Sequence, residues 1–569
     1  MTTWLRRTTL FALSTVAAAN LASACSASND QNGPGAGASG ATGGTSGFGG
    51  SGGTGGTSGT SGSAGTGGII QIEGGAGDGS TGFNGDPKTC QQAADSHTYL
   101  GCDFWPTVVA NNVWEIFDYA VIVANAGDTA ADVTIEKDGQ PVATGTVPPN
   151  GLQKFFLPWV KELKGPPANA LGSATPLTTS VRAPGGAYHL TTTVPVTVYQ
   201  FNALEYQPAG GPAGKDWSTC PGNGGVGCFS YSNDASLLLP STAATGNYRI
   251  TGVQSWPQAN MGAYFAVTGL EDGTTVKVQV VGSGQIIPGN GVPATAGGGV
   301  TSFPIGRGEV VEVLGNTTGD LSGSLVQADK PVQVITGIPC IQAPIGAQAC
   351  DHIEESVFPA ETLGTRYFVN APSGPNGNVV GQVVRVYGNV NGTQLSYPAG
   401  QPAGAPTTIN DGQVVQFGPT DKDFEIQGDH EFAVGLFMLG GSIVDPGAAV
   451  GNQKGDPSQS LAFAVEQYRT KYVFLAPDDY SVSYADIVMP IDASATLDGT
   501  AVTPGASALA ADGYAVARVK LGVGASGAHV LISDKPVGLQ VVGYGNYTSY
   551  QYPGGLNLKG IAPPPPPIK

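Results

Sequence analysis

Four stretches of this chain repeat the same three landmarks in the same order, and that repeat constrains the fold more than any other feature. Each opens on an aromatic, apolar strand: Tyr119-Ala-Val-Ile-Val, Tyr264-Phe-Ala-Val, Tyr367-Phe-Val and Tyr472-Val-Phe-Leu. Each continues through a turn into a second strand: Asn150-Gly151-Leu-Gln-Lys-Phe-Phe, Arg307-Gly308-Glu-Val-Val, Asp411-Gly412-Gln-Val-Val and Asp512-Gly513-Tyr-Ala-Val. The glycine supplies a turn conformation that a side chain would resist. Each closes on a strand pair. Three of the pairs are divided by Pro195, Pro331 and Pro536, and the third unit has a shorter version, His430-Glu-Phe-Ala-Val-Gly-Leu-Phe. Proline removes a ladder donor and fits the start of a strand.

Between landmarks, apolar and polar residues alternate, as in Thr275-Val276-Lys277-Val278-Gln279-Val280, which puts the valines on one face of a strand. Gly, Pro, Asn and Asp clusters separate these runs at the spacing of a sandwich or barrel. The fold class is therefore all-β. Repeated units at about 115–205, 260–340, 365–440 and 470–545, within a region spanning 86–560, have the size of small β-sandwiches. A closed, propeller-like arrangement is the alternative. On this reading, residues 206–260 form an insertion, and 561–569 a proline-rich, extended tail. Helical periodicity is confined to Gln91–Leu100 and Gln459–Thr470.

The first 25 residues read as an export signal. Arg6 and Arg7 precede a short apolar run from Leu10 to Leu21, too short for a stable membrane span. The run ends in Leu21-Ala22-Ser23-Ala24-Cys25, which resembles a bacterial lipobox with Ala22 where leucine is usual. Lipidation at Cys25 would anchor the chain to the outer membrane or cell surface. Ordinary cleavage after Ala24 would release it. Residues 26–85 are rich in Gly, Ser and Thr and cannot bury enough surface to order themselves. They predict a disordered stalk with a root-mean-square span of about 40–45 Å.

Only 12% of the 569 residues are charged, and the formal net charge is −18. That balance disfavours nucleic acid and anionic lipid headgroups as partners. With Cys25 set aside, six cysteines remain as neighbours in sequence: Cys90 and Cys102, Cys220 and Cys228, Cys340 and Cys350. Many pairings are open to six cysteines. Proximity favours the local disulfides, and a bridge closing about 10 residues stabilises by roughly 3 kcal/mol in the chain-entropy model. Zinc ligation is the competing reading, but the spacings lack the C-x₂-C form.

The most suggestive polar cluster is Cys350-Asp351-His352-Ile-Glu354-Glu355. Its side chains could ligate a cation or run acid–base chemistry. Beside a cystine, the commoner role is to cap a solvated loop. His189, His430 and His529 occupy similar places in the repeat, which points to the fold rather than to catalysis. No metalloprotease, phosphate-loop, EF-hand or dinucleotide motif is present. The sequence therefore calls for no cofactor, no metal and no enzyme.

Several ordered runs together resemble the amino-terminal domain family of IgGFc-binding proteins. They are Pro195-Val-Thr-Val-Tyr-Gln-Phe-Asn, Ser232-Asn-Asp-Ala-Ser-Leu-Leu-Leu-Pro240, Glu271-Asp-Gly-Thr-Thr-Val276, Asp320-Leu-Ser-Gly-Ser324, Cys340 to Glu355, and Tyr544-Gly-Asn-Tyr-Thr-Ser-Tyr-Gln-Tyr-Pro-Gly-Gly555. The resemblance implies an extracellular, non-enzymatic adhesion or binding module, and it assigns Cys350-Asp351-His352 to a shared structural motif. The expected function is recognition of an extracellular protein or glycan, with Trp217, Trp256, Tyr544, Tyr547 and Tyr550 as candidate anchors, although core packing is the commoner role for such aromatics. A secreted hydrolase and a structural envelope or matrix component are the rival readings.

Overall fold

A computed structural model describes residues 86–166, 176–224, 227–506, 509, 512–521 and 528–569. The signal, Cys25 and the stalk lie outside the described residues. The rest is mostly β-structure, arranged as four repeats of one eight-stranded pattern.

The second and third units show the pattern most plainly. In the second, one layer orders Val300–Ile305, Thr274–Gln279, Leu325–Ala328 and Asn247–Arg249. The other orders Val310–Leu314, Tyr264–Gly269, Val332–Ile341 and Asp351–Ser356, with Val181–Ala183 added at its edge. The third unit repeats both orders with Thr408–Ile409, Thr393–Ser396, Phe424–Gly428 and Arg366–Val369, then Val414–Thr420, Gln382–Gly388, Phe432–Met438 and Gln459–Ala462. In the first and fourth units a single long strand serves both layers. His189–Asn202 pairs with Val133–Glu136 through its first half and with Ala120–Ala124 through its second. Ala528–Gly545 does the same against Arg469–Leu475 and Val482–Val488. Pro195, Pro331 and Pro536 sit where the chain passes from one layer to the other, where no ladder donor is needed.

The alternation read from the sequence is the packing observed. Val276 and Val278 are buried between the layers with Phe265, Val267, Phe303, Val311 and Val326, while Thr275 and Lys277 face solvent. The turn glycines Gly308, Gly412 and Gly513 adopt positive φ, but in the first unit Asn150 takes that conformation instead of Gly151.

Three differences from the sequence reading follow from local patterns that look alike. Tyr119 and Tyr264 open the second strand of their units, whereas Tyr367 and Tyr472 lie in the first, so those landmarks are one strand out of phase. The stretch 206–260 supplies the last strand of the first unit, Asp234–Leu238, and the first strand of the second, Asn247–Arg249. Gln459–Thr470 is no helix: it holds a strand to Ala462, one 3₁₀ turn at Val465–Gln467, and the start of the next strand. The other helix candidate forms over Cys90–Ser96, capped by Thr89.

Each join into units two, three and four carries the same tyrosine latch. The Thr245 amide donates to the Tyr248 hydroxyl (3.1 Å), which donates to the Val332 carbonyl (2.6 Å). Gly364, Tyr367 and Phe432 repeat it at 3.1 and 2.5 Å, as do Arg469, Tyr472 and Val537. The rings are buried. Replacing Tyr367 by Phe leaves a buried amide and carbonyl without this partner and is expected to cost about 1–2 kcal/mol, read as a lower denaturant midpoint at unchanged m-value.

The four innermost strands, Asp234–Leu238, Asp351–Ser356, Gln459–Ala462 and Thr548–Pro553, touch in a cycle: first with second, second with third, third with fourth, fourth with first. The units thus close into a four-bladed, propeller-like ring of two-layered blades. Closure is fastened where the Tyr99 amide donates to the Leu556 carbonyl (3.1 Å) and the Leu558 amide to the His97 carbonyl (2.7 Å).

Candidate functional site

The axis of the ring gathers the acidic cluster noted in the sequence. Asp351–Ser356 is fully buried in the second blade, and is not a solvated loop. Burial of so many polar groups is tolerated because neighbouring blades supply partners. Glu354 accepts from Gln200 (3.2 Å), Ser236 (3.1 Å) and Asn202 (2.6 Å), all from the first unit. Asp234 accepts from the amides of Ala235 (2.8 Å), Glu354 (3.0 Å) and Gln459 (3.0 Å) and from the Ser458 hydroxyl (2.7 Å), joining three units through one carboxylate. Asp351 accepts from the Asn233 and His352 amides, and Thr548 donates to the Asn233 side chain (3.2 Å). Burial pushes the carboxyls of Asp234, Asp351, Glu355 and Asp456 well above the usual range. Among the described residues, no group of three or more His, Cys, Asp or Glu side chains is placed to hold a metal ion. His352 lies 3.5 Å from Glu354 and is itself buried. Sealed from solvent, the axial groups hold the blades together.

The residues opening the innermost strands touch one another, Asn233 with Asp351 and Thr548, and Asp234 with Ser458. The strands therefore run in one direction, and the loops entering them, 203–224 with 227–233, 342–350, 439–458 and 546–547, share one end of the ring. The loops entering the second strand of each unit, such as 370–381, come to the same end by the antiparallel register. Three disulfides form, Cys90–Cys102, Cys220–Cys228 and Cys340–Cys350, and the last two staple loops of this face.

Further contacts fix the loops to one another. The Gly440 amide donates to the Ala343 carbonyl (3.0 Å). Asp445 accepts from Asn376 (2.9 Å) and from the Lys454 amide (3.0 Å), and the Tyr547 hydroxyl accepts from the Gly451 amide (3.1 Å). Across these joined loops Ile345, Val379, Ile443 and Val450 stand 40–57% exposed. Lone exposed aliphatics are ordinary on a protein surface; these four stand on loops that adjoin one another and carry few charges.

Of the five candidate anchors, only Trp217 is partly exposed, its ring tilted 49° against Phe117 (5.3 Å between centroids) with the Lys215 ammonium 4.5 Å over it. Trp256, Tyr544, Tyr547 and Tyr550 are buried; the Tyr544 and Tyr550 hydroxyls donate to Ser373 and Ser483. The histidines also separate. His189 and His529 each pair with an aspartate at 2.7 Å near the start of a long strand, while His430 lies in a turn.

A family model described as IgGFc binding protein matches residues 234–543, more than half of the chain. The match begins at the axial carboxylate Asp234 and takes in all four exposed aliphatics of the loop face. No curated protein matches the chain.

Proposed function

Because this chain belongs to the IgGFc binding protein family, we propose that it is an extracellular binding protein that engages a protein partner through the loop face of its ring. The exposed cluster of Ile345, Val379, Ile443 and Val450 carries this reading. Exposed aliphatic side chains on loops pinned by hydrogen bonds and a cystine offer pre-ordered apolar contacts, which suit a protein surface better than a polar glycan. The ring supplies a rigid platform, and loops on such platforms are where binding residues concentrate. No helix of the described residues is long and apolar enough to cross a membrane. Lipidation at Cys25, with residues 26–85 as a leash, would hold the platform off an outer membrane or cell surface.

The test is an array of secreted proteins and glycans probed with the intact protein and with Ile443→Asp and Val450→Asp variants. A protein ligand whose affinity falls at least tenfold in both variants is the expected result. Turnover of a substrate, or binding confined to glycans and unchanged by either substitution, would reject it.

A further inference from the structure

The proline-rich segment, expected from the sequence to be extended, is seated on the second unit. Pro565 and Ile568 are buried. The seat is the outward face of the outer layer, where Leu325–Ala328 pairs with Asn247–Arg249 and Gln327 lies opposite Asn247. The Gln327 side chain spans the segment. Its Nε2 donates to the carbonyls of Pro565 and Pro566 (3.3 Å each), and its Oε1 accepts from the Ile568 amide (2.6 Å). The amide is held in register by its neighbours. Gln327 Nε2 also donates to Asn247 Oδ1 (3.0 Å), Asn247 Nδ2 donates to Glu361 Oε1 (2.6 Å), and Thr245 donates to Glu361 Oε2 (3.0 Å). The Glu361 carbonyl receives the Ile561 and Ala562 amides (2.8 and 2.9 Å), which fixes the entry of the segment.

From this clamp we infer that the second unit carries a binding site for proline-rich extended peptides, which residues 561–568 fill in cis. The chemistry matches that ligand class. Polyproline has no internal hydrogen bonds, so its carbonyls are free to accept from a side-chain amide. It is also stiff before binding, so little conformational entropy is lost when it docks. The contact is small, with one side-chain amide, the Glu361 carbonyl at the entry and two buried side chains, so the segment can exchange with an outside peptide of the same kind. This site lies on the blade's outer layer and is independent of the loop face.

The test uses the full chain and a fluorescent peptide with the sequence of residues 561–569. A tethered segment acts at an effective concentration on the order of millimolar, so the unmodified protein should bind the peptide weakly. Ile568→Asp, or Pro565→Gly should the first variant fail to fold, frees the seat. Saturable binding at least tenfold tighter than to the unmodified protein is then expected. Adding Gln327→Ala should weaken it at least tenfold, and a peptide with glycines in place of the five prolines should not bind. No binding to either freed chain, binding indifferent to Gln327→Ala, or equal binding of the glycine peptide would overturn the proposal. Hydrogen exchange supplies a second reading on the unmodified chain: protection of the Ile568 amide that drops at least tenfold in Gln327→Ala supports the site, and an unprotected amide rejects it.

Discussion

Replacing Asp234 by Ala should cost about 3–5 kcal/mol, the scale of breaking a buried, hydrogen-bonded polar cluster. Its carboxylate collects donors from its own blade, from Glu354 in the second and from Ser458 and Gln459 in the third. Removing it leaves three amides and a hydroxyl without that acceptor, in a place where water does not replace it, since Asp234, Glu354, Ser458 and Gln459 are all fully buried. Asp421→Ala, at an exposed aspartate beside the likewise exposed Lys422, should stay within about 0.5 kcal/mol. Denaturant unfolding of the two variants beside the parent protein checks the difference. Equal midpoints for Asp234→Ala and the parent would mean that the axis does not hold the blades.

The second large effect is a pH dependence opposite to that of a salt-bridged acidic protein. Glu312, in the strand Val310–Leu314, accepts one bond from the Ala110 amide (2.9 Å), and its other oxygen has no partner among the described residues. Burial pushes its carboxyl up to about 8 from an ordinary 4.5. Between those values the folded chain keeps a proton that the unfolded chain has lost, so the folded state binds more protons and stability falls as pH rises. Asp486, pushed by burial to about 6, acts in the same sense over a narrower window, and the raised axial carboxyls add to it. The protein should therefore be more stable at pH 5 than at pH 8. Glu312→Gln keeps the acceptor and removes the titration. It should match the parent within about 1 kcal/mol at pH 5 and exceed it at pH 8 by on the order of 4 kcal/mol. Urea midpoints measured across that range decide it; parallel profiles for variant and parent would refute the assignment.

Much of the fold was legible because it rests on local rules. The valines of Thr274–Gln279 announce a one-sided strand, and the prolines at 195, 331 and 536 mark the passage between layers in three units. The three cystines follow from proximity in sequence. The phase of the repeat was not legible, because a buried tyrosine followed by apolar residues occurs in both the first and the second strand of a unit. The axis was half visible. Asp351 and Glu354 stood out as a cluster, but Asp234, Glu354, Ser458 and Gln459 come from three units, and only ring closure brings them together. The loop face left no pattern. Ile443 and Val450 sit in a stretch with neither strand nor long-helix period, so exposure alone separates them from core residues. Four of the five candidate anchors are core residues instead, Trp217 alone staying partly exposed: in a strand-rich chain, Tyr544 and Tyr550 are strand residues and pack inward.

The central claim, that this family member binds a protein partner with the loop end of its ring, is tested most directly by hydrogen exchange of the intact protein with and without a captured extracellular ligand. Protection gathered on 342–350, 373–379 and 439–458, with the strands of the outer layers unchanged, is the predicted result. Protection on the outer layers alone, leaving those three loops untouched, would contradict it.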